Sequence, residues 1–179
     1  TNDGVHGGEL WVTDGTEAGT RLLLDINPGP QGSTPHGFTP LGDDRHVFVA
    51  RTAAEGHELW VTDGTAGGTR MLRDIAPGEA SSAPQNLTPL PDGRVLFQIA
   101  AGNSGQALWV TDGTEQGTRP VRDIPATSEV AHPLQGFWTL GDGKVVFWAY
   151  NAPLNRMWVT DGTAAGTQVL LDFDGEPLH

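Results

Sequence analysis

Six residues, Trp-Val-Thr-Asp-Gly-Thr, occupy positions 11–16 and return at 60–65, 109–114 and 158–163, each copy 49 residues after the last. A Gly-Thr pair follows every block (Gly19-Thr20, Gly68-Thr69, Gly117-Thr118, Gly166-Thr167), and an aspartate comes in step at Asp25, Asp74, Asp123 and Asp172. A fixed period of this length marks a chain built from one supersecondary unit that buries its apolar face against its own copies. The rest of the unit repeats more loosely. Phe38-Thr39-Pro40-Leu41 matches Leu87-Thr88-Pro89-Leu90 and Phe137-Trp138-Thr139-Leu140, each followed by an acidic turn and an apolar run. The last of these stretches runs one residue late and regains the register before Trp158.

One unit thus holds four candidate strands, in the second copy at about 38–41, 46–51, 58–62 and 69–75. Each is short, rich in Val, Leu, Phe and Trp, and bounded by Gly, Pro or Asp. Asp-Gly between such runs (Asp92-Gly93, Asp142-Gly143) is a hairpin signal. No segment sustains a 3.6-residue period, so essentially no helix is expected. The 25 glycines and 13 prolines suit an all-β chain with many turns. Four antiparallel strands in 49 residues fit the blade of a β-propeller, whole or a segment of one; a β-solenoid repeat is typically shorter, and a sandwich needs no such period. The expected organisation is a single array: a partial unit over 1–37 with a Trp hairpin, then units at 38–86, 87–135 and 136–179. Four Trp hairpins stand against three of the preceding hairpins, so flanking sequence or a partner chain is expected at the open blade edges, with self-association as one outcome.

Composition narrows the partners. With 22 acidic and 10 basic residues the formal charge is −12, which repels phosphate backbones and anionic lipid, so neither nucleic acid nor membrane is expected as a partner. There is no cysteine, hence no disulfide and no thiolate chemistry. No apolar run approaches a membrane span. Thr1 opens the chain without a Met or a basic and apolar leader, so the expectation is a mature or excised segment.

The block Glu9-Leu10-Trp11-Val12-Thr13-Asp14-Gly15-Thr16, continued as Gly19-Thr20 and Asp25-Ile26, resembles the bacterial ELWxxDGT repeat proteins. Glu58-Leu59-Trp60 reproduces the motif, whereas Ala107-Leu108-Trp109 and Arg156-Met157-Trp158 depart at its leading positions, and Phe173 replaces the final Ile. The resemblance covers nearly the whole chain. It implies large secreted or cell-surface proteins of propeller type, and it carries over no active site.

Several residues are candidates for a site. Asp14, Asp63, Asp112 and Asp161 of the Asp-Gly-Thr turns can accept bonds from their own turn, with Gly15, Gly64, Gly113 and Gly162 supplying positive φ and Thr16, Thr65, Thr114 and Thr163 capping the loop. They are also the candidate metal ligands, calcium being the hard cation that suits Asp and Thr oxygens. The second series, Asp25, Asp74, Asp123 and Asp172, reads as strand-end caps, or as a negative mouth if the residues ring an axis. The repeated tryptophans read as core. Trp138, Trp148 and Tyr150 occur in one copy only, and with Arg156 they are the candidate ligand site, since aromatic faces stack on sugar rings. None of the six histidines (His6, His36, His46, His57, His132, His179) has a partner at metal-ligand spacing, and no GxSxG or P-loop is present.

No catalytic residue is assigned. The expected function is non-enzymatic recognition or adhesion by an extracellular bacterial protein, binding glycan or a protein surface through similar loops, with calcium as a candidate structural ion. Two alternatives stand beside it: a purely structural, self-assembling repeat, and a carboxylate-dependent hydrolase or lyase on a propeller face.

Overall fold

The computed structural model describes residues 4–100, 105–125, 134–151 and 154–171. They form fourteen β-strands and no helix. The chain divides into two compact units, Thr1–Pro84 and Gln85–His179.

The first unit begins with a two-stranded antiparallel sheet, β1 (Leu10–Val12) and β2 (Arg21–Leu24). A four-stranded sheet follows in chain order: β3 (His36–Pro40), β4 (His46–Thr52), β5 (Gly56–Thr62) and β6 (Arg70–Arg73). The second unit holds two more such sheets. One comprises β7 (Gln85–Pro89), β8 (Val95–Ala100), β9 (Gly105–Thr111) and β10 (Arg119–Pro125). The other comprises β11 (Gln135–Thr139), β12 (Val145–Asn151), β13 (Leu154–Thr160) and β14 (Gln168–Leu171). All neighbours are antiparallel, so the four strands expected in each unit form one sheet.

The sequence dictates these meanders locally. β4 is a central strand with both faces covered, and Val47, Phe48, Val49 and Ala50 are all buried. In the first unit Phe48 and Ala50 pack with Leu10, Leu23 and Ile26, so one face of the four-stranded sheet lies against the two-stranded one. Phe48 stacks on Phe38 at 5.0 Å between ring centroids and lies 6.4 Å from Trp60. In the second unit Leu96, Leu108, Val110, Val121 and Ile124 pack against Val145, Phe147, Ala149 and Trp158. There the same stack recurs, with Phe147 5.2 Å from Phe137 and 6.3 Å from Trp158. The repeated tryptophans thus pack with the sheet cores, and each stands at a bulge: the register shifts beside Trp11, Trp60 and Trp158, and between Pro120 and Arg122 opposite Trp109.

The hairpin between the first two strands of a unit closes with Leu41 N–H on Arg45 C=O (2.8 Å), Leu90 N–H on Arg94 C=O (2.8 Å) and Leu140 N–H on Lys144 C=O (2.6 Å). The turn needs one left-handed residue. Gly93 and Gly143 fill it at φ +84° and +83°, whereas the second copy has Asp44 at +62°. An L side chain is strained in that region. Asp44→Gly is therefore expected to raise unfolding stability by about 0.5–1 kcal/mol, measured by urea denaturation, the relief being offset in part by the looser unfolded chain of glycine.

Candidate functional site

The Asp-Gly-Thr loops join the third and fourth strands of each unit, and their polar groups are matched to one another. In the first copy Asp14 Oδ1 accepts the Thr16 N–H (2.9 Å) and the Thr16 hydroxyl (2.7 Å), and Thr16 Oγ1 accepts the Gly19 N–H (2.9 Å). Thr13 Oγ1 accepts the Gly15 N–H (3.0 Å), and Thr20 donates its hydroxyl to the Thr16 carbonyl (2.6 Å). Thr20 has one hydroxyl proton, already given, so in its 2.7 Å contact with Thr13 the donor is Thr13. The second, third and fourth copies repeat the carboxylate bonds at Asp63–Thr65, Asp112–Thr114 and Asp161–Thr163 within 0.1 Å of those distances.

Both glycines of the motif follow from this. Gly15 sits at φ +90°, with Gly64, Gly113 and Gly162 alike. Gly68 has no room for a side chain, because a Cβ there would lie 2.1 Å from the Asp63 carboxylate. The threonine bonds hold the Asp14, Asp63 and Asp161 carboxyls below the usual aspartate range. The candidate metal ligands therefore each have one carboxylate oxygen engaged twice within their own loop. Among the described residues no three His, Asp or Glu side chains gather where they could hold a metal ion.

The second aspartate series divides. Asp25 and Asp74 are half-buried, each with an Oδ1 that is shielded and without a hydrogen bond, while Asp123 is exposed. Asp172 lies outside the described residues. The indole N–H groups of Trp11 and Trp60 are likewise buried without an acceptor, so each of these copies carries one orphan donor and one orphan acceptor.

The candidate ligand residues are only partly brought together. Trp138 pairs with Val146, and Trp148 lies two residues further along β12, so the two share a sheet face. Tyr150 follows on that strand, and its side chain lies outside the described residues. Arg156 pairs with Ala149, which places it on the opposite face. Nearness in sequence misleads here because strand side chains alternate. Trp138 is 54% exposed, and its ring lies over Gly136, where a Cβ would meet it at 2.1 Å. Leu140, just after β11, and Leu170, on β14 at the opposite edge of the sheet, are 41% and 43% exposed, whereas Leu41, Leu90, Leu23, Leu72 and Val121 at the matching repeat positions are buried.

Two features were missed in the sequence reading. The first is the glutamate of the Glu-Leu-Trp motif. Glu58 is fully buried and accepts four bonds: Ile75 N–H (3.2 Å) and Ser82 hydroxyl (2.5 Å) on Oε2, Ala76 N–H (3.3 Å) and Ser82 N–H (2.9 Å) on Oε1. Glu9 does the same with Ile26, Asn27 and Ser33. Ala107 cannot; in that copy Gln98 of the neighbouring strand accepts the Leu134 N–H at 2.7 Å, at a position where the earlier copies carry Pro35 and Pro84. The signal was a charged residue repeated inside an apolar strand. The second feature is a cluster of His36, Arg51 and His57 at one end of the β3–β6 sheet, where the two imidazole centroids are 6.2 Å apart and Arg51 pairs with His57.

No family model matches the chain, and no curated protein matches it. Among solved structures it is similar to a chain in a crystal structure of a nidogen–laminin complex, with a TM-score of 0.51 and 11% identity over 90% of this chain and 56% of that one. At that identity the likeness concerns the fold, and this chain spans little more than half the length of its neighbour. No helix among the described residues is long and apolar enough to cross a membrane.

Glu58 supplies a pH test. Burial pushes its carboxyl above the usual glutamate range, against the pull of its four donors. The folded state then holds the proton more tightly than the unfolded chain, so this group's contribution is full below the ordinary glutamate pKa and declines as pH rises through the raised one. Glu58→Gln is expected to abolish that decline, and Glu58→Ala to cost about 3 kcal/mol by stranding buried donors. Urea melts from about pH 3 to 8 read both; an unchanged pH profile in Glu58→Gln refutes the assignment.

Proposed function

We propose that this chain is a non-enzymatic protein-interaction module, built from ELWxxDGT-type repeats as part of a β-propeller in an extracellular bacterial protein. The 49-residue, four-stranded antiparallel units support the architecture, as does the likeness to a chain of the nidogen–laminin complex. The observation that carries the functional reading is the β11–β14 sheet. Its Trp138 is 54% exposed, at a position where the sister copies carry Thr39 and Thr88. An exposed tryptophan is the kind of anchor that dominates the energetics of interaction surfaces.

The repeated polar residues serve the fold, since the Asp-Gly-Thr loops are bonded internally. Recognition is accordingly assigned to copy-specific residues rather than to the repeated loops. A second reading, carbohydrate binding, rests on the flat exposed ring of Trp138 with Trp148 on the same face.

Panning a random 12-residue peptide library on the folded chain separates the two. Peptides that bind the chain are expected, with affinity about tenfold weaker for Trp138→Ala. No enrichment from the library, together with ligands from an array of neutral glycans, contradicts the protein reading and transfers the Trp138 face to sugar.

A further inference from the structure

The β3–β6 sheet bears three groups able to carry positive charge at one strand end, in a chain whose formal charge is −12. His36 pairs with Val49, Arg51 lies two residues beyond Val49 on β4, and His57 pairs with Arg51. All three side chains therefore leave the same face. His36 is exposed, and Arg51 and His57 are half-buried.

Their surroundings leave the charges unmatched. Among the described residues the Arg51 guanidinium bonds only the neutral Gln31 Oε1, at 3.2 Å. Glu55, on the adjoining turn, is engaged with the Thr52 hydroxyl. Glu79 is exposed on the loop that follows β6, and Arg73 stands opposite Leu59. The His57 pKa is lowered, first by burial and then by the charges of His36 and Arg51. The site is also held in place. His57 N–H donates to Ser81 Oγ (2.9 Å), and its carbonyl accepts the Ala83 N–H (3.1 Å). His36 Nδ1 lies 2.9 Å from the Thr34 carbonyl. A carbonyl can only accept, so that nitrogen carries the proton.

The scaffold does not require these cations. At the matching register the next sheet has Gln85, Ala100 and Gln106, and the last has Gln135, Tyr150 and Asn155. One arginine and two imidazoles able to take up a proton have thus been placed where the repeat accepts residues that carry no charge.

We propose that His36, Arg51 and His57 form a binding site for a carboxylate of a short acidic peptide segment on a protein partner. The identification of the partner as protein rests on the reading given above. Arg51 offers a planar fork of donors to the carboxylate, and protonated His36 and His57 each add one more. A short segment is favoured over a polyanion because the net charge of −12 repels extended negative chains. Bound carboxylate relieves the repulsion that opposes protonation of His57, so binding and proton uptake support each other. Affinity therefore rises as pH falls through the imidazole range.

The test is an NMR titration of the full chain with a blocked Glu-Glu-Glu tripeptide at pH 6 and pH 8, following the imidazole signals. Affinity about fivefold or more tighter at pH 6 is expected, with both histidine midpoints raised by the peptide. The variant His36→Gln/Arg51→Ala/His57→Gln carries the residues of the sister copy, so it should melt like the parent, and it should lose the binding. Unmoved midpoints, or binding that survives the triple substitution, overturns the site. Preferential binding of a glucuronate oligosaccharide overturns the peptide assignment. If library peptides bind elsewhere while the tripeptide does not, the site fails and the interaction module stands.

Discussion

In every copy of the repeat one aspartate oxygen takes two hydrogen bonds from the threonine two residues on, and much of the unit's sequence follows from that contact. The carboxylate fills the space where a side chain of the later glycine would stand. The threonine hydroxyl, having donated to the aspartate, accepts from that glycine's N–H, and the next threonine returns a bond to the loop. A connection of seven residues, eight in the first copy, is thereby closed without a hydrophobic core of its own. This fixes where the fourth strand begins, and so sets its register against the tryptophan strand.

A second constraint works from inside. Glu9 and Glu58 hold the chain after the fourth strand and the loop leading to the next unit, using acceptors where backbone donors would otherwise be orphaned. Burying a carboxylate is costly unless its bonds are satisfied, and three or four donors offset that cost. In the third copy Ala107 stands at the glutamate position, and Gln98 on another strand accepts the Leu134 N–H, at a place where the earlier copies carry Pro35 and Pro84.

What was legible in the sequence was what the repeat enforces. The period gave the four strands of each sheet within about two residues, since apolar runs and Asp-Gly turns are local signals. Left-handed Asp44 and Asn86, at positions where sister copies carry glycine, were not legible, because the backbone demand is visible only once the copies are superposed on a turn. Among the site candidates, Trp138 and Trp148 share a face but Arg156 does not, since strand alternation overrules adjacency in sequence. The cluster of His36, Arg51 and His57 escaped a search for metal-ligand spacing because its members meet across three strands. The departures from the repeat at those positions were the available signal. In this molecule regular residues build the scaffold, and the irregular ones are the place to seek recognition.

The central claim, that the Asp-Gly-Thr loops are closed by their own hydrogen bonds, is tested most directly by the melting temperature in excess EDTA and then in millimolar calcium. The account predicts the same melting temperature in both, because the carboxylate oxygen that fixes each loop is already doubly bonded. A rise with calcium that magnesium does not reproduce would contradict it, and would make those aspartates cation ligands instead.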